Sequence, residues 1–330
     1  MTVLVLSEHD VRELLDMESC IAAMETVLAR LARGELTNPL RSLMSPPGST
    51  AMGLMPSYAG GEKPGYALTE IVVAGDNPAR GLDPHQGSVL LHDGDTGQLL
   101  AVLNASPITE IRTAAVSGAA TRLLARPGSR TVAVLGSGVQ GRSHVDAMQT
   151  VLDDPIIRIW SRNASHAEAL ALETHSLVAA SVEEAVAGAD VVCTATSASE
   201  PFLELGWLAP GTHVNAAGAY PNGVSRELAT DVVASARLFV DRRESALNES
   251  GDVRLALAER DLGHDHIVGE LGEILAGRVT ARRTRDDITL FKSLGIAVED
   301  LAAAHRIHER ARATGKGIAV DFGGRRLASD

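Results

Sequence analysis

The sequence predicts an α/β protein in which a doubly wound parallel sheet is inserted into a second, α+β domain, and three observations carry that prediction. A glycine-rich turn, Gly136-Ser137-Gly138-Val139-Gln140-Gly141, joins a β-branched apolar stretch to a helical pattern. From Arg130 to about Asp287, strand-length apolar runs alternate with helical periodicity, the pattern that builds parallel sheets. The region before residue 126 reads differently, as two helices followed by alternating apolar stretches separated by turn signals at Gly60-Gly61, Asp76-Asn77-Pro78 and Asp93-Gly94-Asp95. An amphipathic helix near the end, from Leu294 to Ala313, is expected to return to this first part. The expected boundaries are 1–126, 127–290 and 291–330.

Each element has a local reason. Ser7 can cap a first helix, and Asp16 a longer one with Met17, Ile21, Met24, Val27, Leu28 and Leu31 on one face. Ser106-Pro107 reads as a cap followed by proline at the first helical position, opening a helix that runs through Leu124 and stops at Pro127-Gly128. Strands are expected at 131–135, 156–160, 190–195, 212–216 and 237–240, with a Ser181-x-x-Glu184 capping box between two of them.

The glycine turn has the chemistry of a dinucleotide site. Gly136 permits the tight turn, Gly138 lets the backbone approach a pyrophosphate, and Gly141 lets the following helix pack on the strand. The helix start offers free N–H groups and a positive dipole end to the phosphates. After the second strand, where an acidic side chain would hold the ribose 2′-hydroxyl of NAD, the sequence has Ser161, Arg162 and Asn163. A guanidinium suits a 2′-phosphate, so NADP (NADPH) rather than NAD is the expected cofactor.

With 330 residues, 45% hydrophobic, the chain is long enough for two domains. A net charge of −12 without a basic tract argues against nucleic acid, and no apolar run approaches membrane-spanning length. A cytoplasmic protein is expected. Cys20 and Cys193 read as buried small hydrophobes rather than a disulfide. The three lysines, Lys63, Lys292 and Lys316, stand beside loop segments or a helix start.

Several motifs carry a resemblance over nearly the whole chain: "PLR" (39–41), "HQGSVLLHD" (85–93), "ITEIRTAAVSGAAT" (108–121), "VLGSGVQGRSH", "SALNESGDV" with "VRLALAERD", and "TLFKSLGIAVED" (289–300). With these the chain resembles the ornithine cyclodeaminase and mu-crystallin family. The resemblance implies a homodimer with a Rossmann domain inserted into a substrate-binding and dimerisation domain. It also implies that Arg41 and Arg112 clamp the carboxylate of an amino or imino acid, and that Thr113 touches the cofactor phosphates. Thr194, Ala195, Thr196, Gly218 and Ser293 complete the residues expected to face the dinucleotide.

Two departures from the family bear on the reaction. Cyclodeaminases carry an Asp after the strand corresponding to "HVNAAG", where Tyr220 lies here; the mu-crystallin-like imine reductases, which use NADPH, also lack it. The family also places a Lys in the strand before the "NP-x-x-GL" segment, and counting back from Asn77 puts Thr69 there, a residue that can hydrogen-bond without carrying charge. Glu70 is expected to point to the opposite face. His85, at the head of a strand, is either a proton donor or a structural histidine. His264, Asp265, His266 and Glu270 lack a recognised metal spacing, so no metal is expected.

The expected function is NADPH-dependent reduction of a C=N bond beside a carboxylate, in a cyclic ketimine or imino acid. An oxidative amino-acid dehydrogenase, a cyclodeaminase, and a non-catalytic NADPH or small-ligand binding protein stand as alternatives.

Overall fold

The structure, a computed structural model, describes residues 2–48, 50–218 and 223–324. The chain divides into two compact units, one of 1–23, 33–112 and 296–330, the other of 24–32 and 113–295. Along the chain the divisions fall at 23/24, 32/33, 112/113, inside the helix Ala105–Leu124, and 295/296, whereas the sequence places them at 126/127 and 290/291.

In chain order the strands are β1 (Thr2–Leu6), β2 (Leu36–Thr37), β3 (Ser42–Met44), β4 (Thr50–Ala59), β5 (Gly65–Ala74), β6 (His85–Asp93), β7 (Leu99–Asn104), β8 (Thr131–Leu135), β9 (Ile156–Trp160), β10 (Leu177–Val178), β11 (Val191–Thr194), β12 (His213–Ala216), β13 (Arg237–Val240), β14 (Ile267–Glu270), β15 (Thr289–Lys292) and β16 (Ile318–Asp321).

The first unit holds the sheet β16-β1-β7-β6-β5-β4-β2, with β3 paired to β4. Period-two alternation sorts its side chains. Met55, Ser57, Ala67, Thr69, Val89, Leu91, Ala101 and Leu103 are buried on one face, against which the helix Ala297–Thr314 packs with Val298, Leu301, Ala304 and Ile307. Ser57 Oγ donates to the Ala297 carbonyl at 3.1 Å, and Asn38 Oδ1 accepts from Val298 N at 3.0 Å, so polar groups satisfy that helix's first turn. On the other face Leu54, Leu68, Glu70, Val72, Leu90 and Val102 remain half exposed.

The second unit holds the parallel sheet β10-β9-β8-β11-β12-β15-β13-β14. This is the doubly wound sheet that the alternation of runs predicts. The chain proceeds outward from β8 to β9 and β10, then returns to β11 on the other side of β8, which makes the carboxyl ends of β8 and β11 a topological switch point. Sequence periodicity misses β14 and β15, four residues each.

Several ends differ from expectation. Asn104 Oδ1 accepts from Ser106 N at 3.0 Å and the helix begins at Ala105, so the amide takes the place assigned to Ser106 as the cap. The last long helix begins at Ala297 rather than Leu294, because Leu294 N and Gly295 N are held by Asp241 Oδ2 at 2.6 and 2.8 Å. Ser7 and Asp16 cap as expected, with Asp16 Oδ1 accepting from Ser19 N at 2.8 Å. Among the described residues no helix is long and apolar enough to cross a membrane.

Candidate functional site

The glycine turn divides its three roles as the chemistry requires. At Gly136, φ is +129° and a Cβ would collide with the Ala195 carbonyl oxygen, so only glycine lets the loop after β8 lie against the loop after β11. At Gly141 a Cβ would strike the Gly136 carbonyl oxygen, which would push the helix Val139–Val151 off its strand. Gly138 is exposed, caps that helix without a side chain, and has open space where a Cβ would stand. That open approach at a helix start fits a pyrophosphate. Val139 is exposed, and Ser137 Oγ donates to Ser161 Oγ at 2.8 Å, tying the turn to the end of β9.

Behind the turn, His144 is fully buried between the Gln140 carbonyl (Nδ1, 2.7 Å) and Ser117 Oγ (Nε2, 2.9 Å). Burial pushes its pKa down to about 4, so the ring is neutral. Beyond β9 no carboxylate follows at 161–163. Arg162 is exposed and has no hydrogen-bond partner among the described residues. Asn163 is occupied differently from its expected role: its Oδ1 caps the helix Ala164–Thr174, accepting from Ser165 N at 3.1 Å.

A buried polar cluster supports the other loops of this unit. Glu227 accepts from Thr194 Oγ1 (2.6 Å), Thr196 Oγ1 (2.6 Å) and Thr196 N (2.8 Å). Lys292, 1% exposed, pairs with Asp252 Oδ2 at 2.9 Å and donates to the Gly218 carbonyl at 2.8 Å. Asp252 Oδ1 accepts in turn from the backbone N–H groups of Glu227 and Leu228. Burial raises the Glu227 pKa, and the nearby Lys292 ammonium opposes that rise. A Cβ on Gly218 would collide with Glu227 and with the Thr196 carbonyl, so the loops at 194–196 and 218 are locked together. Ser293 is buried, and its Oγ has no partner among the described residues, a donor fit for a bound cofactor. Thr113 is also buried. Sequence reading did not find Glu227, Asp252 or Lys292 as a group, since they come from three distant segments.

In the first unit Arg112, 5% exposed, donates from Nε to Asp300 Oδ1 at 2.8 Å and from NH1 to Glu299 Oε2 at 3.3 Å. Thr69 Oγ1 donates to the other oxygen of Asp300 at 2.9 Å. Thr69 is therefore on the helix-covered face, 1% exposed, while Glu70 stands on the open face and accepts from Ser88 Oγ at 2.8 Å. Arg41 is half buried just before β3. His85 is exposed, its backbone N held by Asp83 Oδ1 at 2.8 Å, and Ser106 Oγ donates to the other Asp83 oxygen. Tyr220 lies outside the described residues. His266 Nε2 is spent on the Val233 carbonyl and Glu270 accepts from Arg243 N, so neither is arranged with its neighbours as a ligand set.

A glycine turn at the switch point of a parallel sheet, joined to a second unit with a fixed buried arginine, defines a dinucleotide-dependent class. The chain belongs to the ornithine cyclodeaminase/mu-crystallin family, whose model matches residues 1–315. It is 39% identical over 313 residues to the ketimine reductase mu-crystallin of Mus musculus, covering 92% of this chain and 96% of that one. Among solved structures it is similar to the Delta(1)-pyrroline-2-carboxylate reductase of Thermococcus litoralis in complex with NADH and L-proline, with a TM-score of 0.91, 32% identity, and coverage of 96% of this chain and 100% of that chain. An archaeal alanine dehydrogenase dimer with bound NAD gives a TM-score of 0.92 at 26% identity, covering 98% of this chain and 100% of that chain.

Proposed function

We propose that this chain is an NADPH-dependent reductase of a C=N bond beside a carboxylate, acting on a cyclic ketimine or related imino acid. The observation that carries the reading is the nucleotide cradle: an open Gly138 at a helix start, with Arg162 uncommitted and no carboxylate where a 2′-hydroxyl would be held. The mouse and Thermococcus relatives, a ketimine reductase and a pyrroline-2-carboxylate reductase, support the reaction class.

When bound, the nicotinamide supplies the hydride. The protein supplies position. Asp300 and Glu299 fix the Arg112 guanidinium, which with Arg41 holds the substrate carboxylate. The Glu227 and Lys292 networks hold the loops at 194–196 and 218, and Ser293 offers its hydroxyl to the cofactor. Cys20 and Cys193, both buried free thiols, suit a reducing cytoplasmic setting. The working form is a homodimer; the archaeal dimer and the half-exposed apolar sheet face around Leu68, Leu90 and Val102 support this, and a monomeric mass by light scattering would count against it.

The test follows NADPH absorbance with Delta(1)-pyrroline-2-carboxylate and its six-membered homologue. Turnover with NADPH exceeding that with NADH is the expected result. Arg162→Ala should narrow the NADPH preference in binding by about 1–3 kcal/mol. Equal affinities for the two cofactors in the parent would remove the cofactor assignment, and no turnover on any imino acid would remove the function.

A further inference from the structure

At the amino end of the second unit's parallel sheet, four arginines line one cleft of about 400 Å³. Arg126 comes from the segment before β8, and Arg282, Arg283 and Arg285 from the segment before β15; Pro127 and Thr284 complete the lining. The glycine turn follows β8 at its other end, so five residues of strand, about 16 Å, separate this cleft from the dinucleotide site.

The walls are firmly held. Asp287 Oδ2 accepts from Arg283 N and Thr284 N at 2.7 and 3.1 Å, and its Oδ1 from Thr284 Oγ1 at 2.7 Å. Gly211 N donates to the Asp286 carbonyl at 2.9 Å. At Gly211, φ is +84° and a Cβ would collide with the Arg285 carbonyl and the Arg126 side chain, so glycine there lets Arg126 lie against the loop.

Charge is what this arrangement leaves unsettled. Arg126 pairs with Asp190 at 2.6 Å. Arg282 spends its donors on neutral oxygens, those of the Leu124, Gly211 and Asp287 carbonyls and Thr289 Oγ1. Arg283 and Arg285 are exposed, and neither side chain has a partner among the described residues. Asp287 faces Arg237 at 3.7 Å, and Asp286 is exposed and pairs with none of the four. Burial, and after it the Arg126 charge, lowers the Arg282 pKa; burial, and after it the Arg283 charge, lowers that of Arg237. Like charges therefore crowd together in a chain whose net charge is −12. A guanidinium does not relieve such crowding by losing its proton. An anion relieves it.

We propose that this cleft is a second binding site, for the phosphate group of a small phosphorylated metabolite, gripped by Arg283 and Arg285 in the field of Arg126 and Arg282. Arginines on two walls meet a tetrahedral, multiply charged group from more than one side, each through parallel N–H donors, whereas a planar carboxylate offers two oxygens along one edge. The occupant also ties the segment before β8 to the segment before β15, bracing the amino end of the sheet. The site is independent of the reduction proposed above.

The experiment uses the full chain with a saturating dinucleotide, so that the glycine turn is occupied. Calorimetry at low ionic strength measures binding of inorganic pyrophosphate, with citrate as a polycarboxylate of comparable charge. The parent is expected to bind one pyrophosphate per chain, about 10-fold or more tighter than citrate, and the Arg283→Gln/Arg285→Gln double variant to bind it about 10- to 100-fold more weakly. Pyrophosphate should raise the unfolding midpoint of the parent and not of the variant. NADPH affinity, and the midpoint without pyrophosphate, should be the same in both, since the two side chains are exposed and unbonded. No binding to the parent, or equal binding by the variant, overturns the site. A midpoint that falls in the variant without pyrophosphate also overturns it, because the arginines then serve the fold, and citrate bound as tightly as pyrophosphate overturns the phosphate assignment.

Discussion

Replacing Lys292 by Met removes one ammonium while keeping nearly the same length of side chain, and the structure lets its cost be worked out. Lys292 and Asp252 are each 1% exposed and 2.9 Å apart. In the variant Asp252 keeps the two backbone N–H donors at its Oδ1, but its Oδ2 has no other partner, and the Gly218 carbonyl loses its donor. Glu227 loses the nearby charge that opposes its burial. Breaking a buried pair from one side costs about 3–5 kcal/mol. The retained N–H bonds place the expected loss near the lower end, about 3 kcal/mol. Trp160 and Trp207, the two tryptophans of the chain, both fall in the second unit, so urea unfolding read by tryptophan fluorescence reports on the affected part. Adding Asp252→Asn should recover part of the loss, because the uncompensated charge is then gone. A Lys292→Met variant within about 1 kcal/mol of the parent, or a double variant as unstable as the summed singles, would refute the reasoning.

Three further outcomes are expected. Stability should fall as pH drops from 6.5 toward 4, because burial lowers the pKa of His144 to about 4 and of His213 to about 3 while the unfolded chain takes up both protons near 6.5. Each contributes about 1.4 kcal/mol per pH unit in that window, and Glu227, whose pKa is raised, offsets at most one of the two; denaturation midpoints that stay level between pH 6.5 and 4.5 would show that these rings are not buried neutral. Arg112→Ala should destabilise the chain as well as abolish turnover, since it strands the buried Glu299 and Asp300, whereas Arg41→Ala should leave the unfolding midpoint nearly unchanged and raise KM; comparable midpoints for both would contradict the buried network. Gly141→Ala should impair folding, because its Cβ meets backbone that cannot swing aside, while Gly138→Ala should fold normally and weaken NADPH binding. Normal NADPH affinity in a folded Gly138→Ala protein would mean that the pyrophosphate does not approach there.

What could be read in advance was what a short stretch of chain dictates. The turn at 136–141 announces itself because its three glycines answer steric demands set within a few residues, and the absence of an acid at 161–163 is visible without any fold. Lys292 was opaque for the opposite reason: its strand is only four residues long, and its partner Asp252 is forty positions earlier. Thr69 and Glu70 show a finer limit. Counting back from Asn77 gives a position, but the face a strand residue takes is decided by its register with β4 and β6 and by the helix that covers one side, and here these turn Thr69 inward and leave Glu70 on the open side. The carboxylates that fix Arg112 belong to a helix nearly two hundred residues away, within a motif legible only as a resemblance.

The place of β15 between β12 and β13 has a consequence for how the protein is made. It is the last strand of its sheet to leave the ribosome, yet it is an interior one. Until residues 289–292 emerge, the sheet can exist only as two fragments, a five-stranded piece ending at β12 and a β13–β14 pair, each presenting an unpaired edge to its surroundings. Closure then joins elements far apart in sequence, a slow kind of step. A nascent chain arrested, or cleaved, before Thr289 is therefore expected to be recovered with chaperones or in aggregates, and the same few residues that complete the sheet carry Lys292 into its pair with Asp252.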